Sequence, residues 1–151
     1  MIPALEGAFA SANPRAVLLA GLQQFLAAED GLAVARFAWA DLGTGFAANA
    51  RTDPAQLLGF VLPLANGRAI RIHRGQRYAR PGVSVTLMKS ADVWVRFPYG
   101  ASAGQQVYAS IVDGTAISGE AADTEPTPWF VVTSAQPGGL AIISTTCKVT
   151  S

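Results

Sequence analysis

The sequence predicts an all-β protein, a β-sandwich or small barrel, preceded by an N-terminal arm of different texture. Three observations predict it. From Leu32 onward, short runs of Val, Ile, Phe, Trp and Thr are separated by Gly, Pro, Asn and Asp. Several runs alternate apolar and polar residues with the period of two that lets a strand bury one face. Turn signatures fall between the runs at close spacing.

Residues 1–31 form the arm in this reading. They are rich in Ala and interrupted by Pro3 and Gly7. Asn13-Pro14 offers a cap and a first-turn proline for a helix over residues 15–29. Leu18, Leu22, Phe25 and Leu26 have nearly helical spacing, while Gly21 weakens that helix by ~1 kcal/mol. The alternative is an extended arm lying on another surface. Residues 32–151 form the β domain. Asn66-Gly67 predicts a type I′ hairpin turn between residues 57–65 and 69–73. Pro63 would interrupt a ladder, which places its strand at an edge or a bulge.

Pro81-Gly82 opens the next run, in which Val83, Val85 and Leu87 alternate with Ser84, Thr86 and Met88. Val93, Val95 and Phe97 alternate with Asp92, Trp94 and Arg96. Asp113-Gly114 closes residues 107–112 as a hairpin. Residues 129–133 and, after Pro137-Gly138, residues 140–145 complete the series. Trp39, Trp94 and Trp129 are expected to be buried or at subunit contacts.

Composition excludes several functional classes. The chain has 151 residues, enough for one domain. Half the residues are hydrophobic and 14% are charged, against a usual charged share of roughly a quarter. Such a chain is not intrinsically disordered, and it suits burial against neighbouring subunits. One His (His73) and one Cys (Cys147) cannot make a Cys/His structural zinc site or an internal disulfide. The start lacks a signal-peptide pattern, and no apolar run approaches the ~20 residues of a membrane span. The expectation is a soluble intracellular single domain with no membrane partner.

Candidate chemistry is sparse. His73 has no Gly-x-Ser-x-Gly elbow to serve and ends an Arg-rich run. Cys147, beside Lys148, has no second His as a base and reads as strand-end packing. The aspartates are scattered rather than set in a calcium loop, and Gly43-Thr44-Gly45 lacks the Lys of a phosphate loop. No catalytic residue, cofactor or metal is expected.

Charge placement is the strongest feature. The net charge is +1, yet residues 68–96 hold Arg68, Arg71, Arg74, Arg77, Arg80, Lys89 and Arg96 against Asp92 alone. The flanks are acidic. Nine of the eleven basic residues are arginine, whose planar fork suits fixed protein contacts. Nucleic acid is not the expected partner, since only Tyr78 interleaves the run as an aromatic.

A further signal is an ordered set of short blocks. They are GAFASANPR at 7–15, VARFAWAD at 34–41, GFV at 59–61 and RPGVSVTL at 80–87. DVWVR at 92–96, GQQVYA at 104–109 and DGT at 113–115 follow. Together they resemble the capsid cement, or decoration, proteins of tailed bacteriophages over nearly the whole chain. Ala91 stands where that family's pattern has a glycine before the Asp, at what reads as a hairpin turn. Residues 18–28 are more apolar and helix-like than the family's usual Gly-rich segment.

The resemblance implies a jelly-roll-like fold, an extended arm and oligomers fixed on the outer capsid surface. It implies no catalytic residues. The expected function is a non-enzymatic virion protein, made in the host cytoplasm, that cements major capsid subunits and stabilises the mature head. Its partners would be the major capsid protein and further copies of itself, as a homodimer or homotrimer. The expected contact residues are Phe9, Asn13 and Arg15 on the arm, with Arg68, Arg71, Arg74, Arg77 and Arg80. The apolar arm would dock on a capsid subunit or a neighbouring protomer. Rival readings are another virion β-module, of tail or baseplate, and a small ligand-binding β-barrel.

Overall fold

A computed structural model describes residues 6–10, 16–18, 24–28, 31–62, 70–73 and 76–145. Among them every regular element is a strand. The first seven are β1 (Ala16–Leu18), β2 (Leu26–Ala27), β3 (Leu32–Ala33), β4 (Phe37–Ala40), β5 (Phe46–Ala48), β6 (Leu57–Val61) and β7 (Ile70–His73). The rest are β8 (Gln76–Ala79), β9 (Leu87–Ser90), β10 (Asp92–Phe97), β11 (Gln106–Ser110), β12 (Ala116–Ser118), β13 (Thr124–Val131) and β14 (Gly139–Ser144). The expected all-β sandwich is present.

Three sheets stack as layers. One runs β10-β14-β13-β11-β12, the second β1-β9-β6-β4-β5-β2, and the third β3-β8-β7. The first two face each other across a core built from alternate residues. Val93, Val95 and Phe97 of β10 meet Phe37 and Trp39 of β4 and Phe60 of β6 in one buried cluster. The second sheet is also covered on its other face. There Ala38, Ala40, Val61 and Leu87 pack with Leu32 and Ala79 of the third sheet, and with Phe25 and Val85. This explains why all four residues of β4 are buried: a strand covered on both faces reads as continuous apolar sequence. The alanines let the outer layer approach closely.

Trp129 joins these parts. Its ring meets Phe37 edge-to-face at 5.2 Å, and Phe37 meets Phe60 at 5.5 Å. Its indole N–H donates to the Ala91 carbonyl at 3.2 Å. Ala91 is the corner where the chain leaves the second sheet as β9 and enters the first as β10. The hairpin turn expected at Ala91 is therefore absent. β9 and β10 do not pair; they are one strand bent between two sheets. Trp39 and Trp129 are fully buried, and Trp94 is half-buried.

Other expectations are corrected. β6 is a central strand between β4 and β9, not an edge, and it ends at Val61. It does not form a hairpin with β7, which belongs to the third sheet and pairs with β8. Pro63, Asn66 and Gly67 lie outside the described residues. Of the two conformations weighed for residues 15–29, the described stretches are extended. β1 pairs with β9 and β2 pairs with β5, which supplies ladder bonds that a helix would forgo.

The turn residues act as their chemistry demands. In both Pro81-Gly82 and Pro137-Gly138 the glycine has positive φ, 80° and 82°. The flanking residues close type II turns, Val83 N–H to Arg80 at 3.1 Å and Gly139 N–H to Gln136 at 2.8 Å. Gly114, with φ 75°, lies so close to β4 that a Cβ would sit 2.0 Å from the Phe37 carbonyl oxygen. Its own carbonyl accepts from Phe37 N–H at 2.9 Å, so the β11–β12 loop is bonded to the opposite sheet. Burial pushes the neighbouring Asp113 carboxyl up. The Thr115 hydroxyl and N–H, the Arg36 guanidinium and the Ser110 hydroxyl outweigh that and hold it below the usual carboxylate range.

Two stability predictions follow from these contacts. Among the described residues, the Trp39 indole N–H is buried with no hydrogen-bond partner, whereas that of Trp129 is satisfied. Trp129→Phe orphans the Ala91 carbonyl as well as leaving a void, and should cost about 2–4 kcal/mol. Trp39→Phe removes an unsatisfied donor, which offsets its void, and should cost clearly less in urea unfolding. Equal losses would contradict the assignment. For Asp113, a lowered native pKa stabilises the fold above the unfolded value, and that contribution is lost as pH falls through the native value. Asp113→Asn should therefore unfold at lower urea than the parent at pH 7, with the gap closing in acid below about 3.9. A gap independent of pH would contradict the pairing.

Candidate interaction surface

The Arg-rich run folds as the β7–β8 hairpin, the outer edge of the third sheet. Its register pairs Ile70 with Ala79, Arg71 with Tyr78, Ile72 with Arg77 and His73 with Gln76. β8 is anchored inward by the buried Ala79 and by pairing with β3. The Gln76 amide donates to the Val34 carbonyl at 3.2 Å. Arg77 and Arg80 are exposed, and neither forms an ion pair with a described acidic residue. No Asp or Glu lies between Asp53 and Asp92 in the sequence. Arg68 and Arg74 lie outside the described residues, and of Arg71 the register alone is described.

On the arm, Asn13 and Arg15 also lie outside the described residues. Phe9 is 36% exposed and bridges to Val93. Around it, Gly7 N–H donates to the Trp94 carbonyl at 2.6 Å, Trp94 N–H to Ala8 at 2.9 Å and Ala10 N–H to Asp92 at 2.8 Å. Residues 7–10 thus add an antiparallel segment to the outer edge of β10. Of the expected contact residues that are described, Phe9 lies against the edge of the first sheet and Arg77 lies in the third.

A second basic feature lies where the arm begins. Glu6 accepts from Arg96 Nε at 2.7 Å, and Arg96 Nη1 also donates to the Gly138 carbonyl. Arg36 stands across a cleft of ≈ 50 Å³ that Glu6, Arg36, Gln76, Arg96 and Thr115 help to line. Arg36 is presented by a tight turn in which Ala35 has φ 60°, an uncommon conformation for a residue with a Cβ. Asn49 clamps that turn: its oxygen accepts from Ala33 N–H at 2.7 Å, and its amide donates to the Phe37 carbonyl at 3.0 Å. Sequence reading missed this cleft, because Glu6, Arg36 and Arg96 are far apart in the chain and no spacing links them. Its volume is far below the ~300 Å³ of a small-molecule pocket.

Residues 1–145 match the family model described as XM1 gp53 minor capsid protein. The fold is similar to a chain in the solved structure "The capsid of Myoviridae Phage XM1", with TM-score 0.65 and 17% identity, over 98% of this chain and 92% of that one. No curated protein matches the sequence. The structural likeness speaks for the fold, and the family match extends over nearly the full sequence. The chain belongs to the XM1 gp53 minor capsid protein family, the capsid-associated structural proteins of a phage virion.

Proposed function

We propose that the chain is a non-enzymatic protein that binds the outer surface of the phage capsid and cements major capsid subunits, stabilising the mature head. The observation that carries this reading is the basic β7–β8 hairpin of a capsid-associated protein: Arg77 and Arg80 are exposed and form no ion pair with a described acidic residue. Arginines so placed fit an acidic protein surface better than a solvated one. Arg68, Arg71, Arg74, Arg77 and Arg80 are the hairpin contacts in this reading, and Phe9, Asn13 and Arg15 the arm contacts. Residues 1–31 act as the arm and 32–151 as the body. A protein that binds only the assembled lattice stabilises it by mass action, and many symmetric copies add avidity. Homodimers and homotrimers both suit the symmetry axes of such a lattice.

The test uses heads that lack the protein. They should release packaged DNA at a lower temperature than complete heads, and added protein should restore the higher temperature. Arg77→Gln with Arg80→Gln should fold normally, sediment with heads severalfold less, and show a shallower dependence of binding on salt. Full occupancy by the double variant would remove the hairpin from the contact. Heads equally stable with and without the protein would overturn the cementing function.

A further inference from the structure

β13 outruns one of the strands beside it. It covers Thr124–Val131, yet β14 pairs with it only at Phe130 and Val131. β14 ends at Ser144, opposite Phe130, and the chain bends at Thr145. Residues 124–129 therefore have β11 on one side and no described strand on the other. A strand edge of this kind presents main-chain groups with which another chain can pair.

Alternation fixes which N–H groups would face that edge. Val131 N–H donates to the Gln105 carbonyl at 2.8 Å, on the β11 side, and Val132 N–H to the Ile142 carbonyl of β14 at 2.8 Å. Lower in the strand, the Thr127 carbonyl accepts from the Gln106 side-chain amide at 2.9 Å, again on the β11 side. Burial alternates without a break between these points: Pro126 and Pro128 are exposed, while Thr127, Trp129 and Val131 are buried. Residues 126 and 128 thus share the orientation of Val132 and turn their main-chain nitrogens away from β11. Both are proline and carry no N–H. The irregularity in the β11–β13 ladder, between Gln106 and Tyr108, lies on the opposite side of the strand. At β10 the same sheet lines its edge with residues 7–10. At residues 124–129 of β13 the prolines stand where such a cover would be.

We infer that Pro126 and Pro128 bar strand addition at this edge, and that they keep copies of this chain from joining edge to edge. Two such edges laid antiparallel would need the N–H groups of positions 126 and 128 from each copy. With proline there, neither copy can donate from those positions. The inference concerns the protein in solution and rests on no reading of its place in the capsid.

Restoring the donors tests it on full-length chains. Pro126→Val with Pro128→Val supplies both N–H groups on side chains that favour strands. This variant should keep the parent's β-type circular dichroism. In size-exclusion chromatography with light scattering, severalfold more of it than of the parent should run as larger species. Pro126→Lys with Pro128→Lys supplies the same donors but charges the edge, and should keep the parent's mass. A folded valine variant that runs as the parent does at every concentration overturns the inference. Equal association by the lysine variant also overturns it, because the effect then follows loss of proline and not pairing at the edge. Amide exchange gives a second measurement, in Pro126→Ala and Pro128→Ala made singly. In dilute solution each new amide should exchange as fast as an exposed loop amide. Slow exchange of either in the dilute protein means that its own chain already pairs there, and overturns the inference.

Discussion

The fold depends on Trp129. Its ring belongs to one sheet, packs edge-on against Phe37 of the facing sheet, and hydrogen-bonds the Ala91 carbonyl at the corner where one strand passes between them. A bent strand must leave a main-chain group without a ladder partner, and in a dry core an unpaired carbonyl is costly. The indole satisfies that group while filling the space the bend opens. The same side chain therefore closes the sandwich and makes its corner possible. Gly114 performs the complementary task on the β11–β12 loop, which it allows to bond directly to β4.

Much of this was legible in the sequence, for identifiable reasons. β10 alternates cleanly because one face is buried in the sandwich and the other is only partly covered, so Val93, Val95 and Phe97 stand out. Both Pro-Gly pairs form the turns their φ preferences demand. The places where reading failed have a common cause. Periodicity reports which side of a strand is buried, not which strand lies beside it. Asn66-Gly67 points to a local hairpin, yet β6 and β7 belong to different sheets. Ala91 looks like a turn, yet the strand continues through it. The interaction features divide in the same way. The basic hairpin is visible because its arginines are close in sequence, whereas the Glu6–Arg96–Arg36 cleft is assembled from three distant segments.

The architecture suits a protein whose work is done on its surface. A third small sheet covers the outer face of the second, so the basic β7–β8 hairpin is carried as an edge on a packed platform rather than as a free loop. The open edge of β10 is lined by the chain's own first residues, which limits indiscriminate strand pairing. Among the described arginines, Arg96 pairs with Glu6, Arg36 with Asp113 and Arg51 with Glu125, while Arg77 and Arg80 face outward.

The central claim is that this minor capsid protein bridges major capsid subunits from outside the shell. A cryo-electron-microscopy reconstruction of the mature head tests it most directly. The account predicts density of this fold on the outer surface, each copy touching at least two major capsid subunits, with the β7–β8 hairpin against an acidic patch. Density inside the shell, at the tail, or resting on one subunit alone would contradict it.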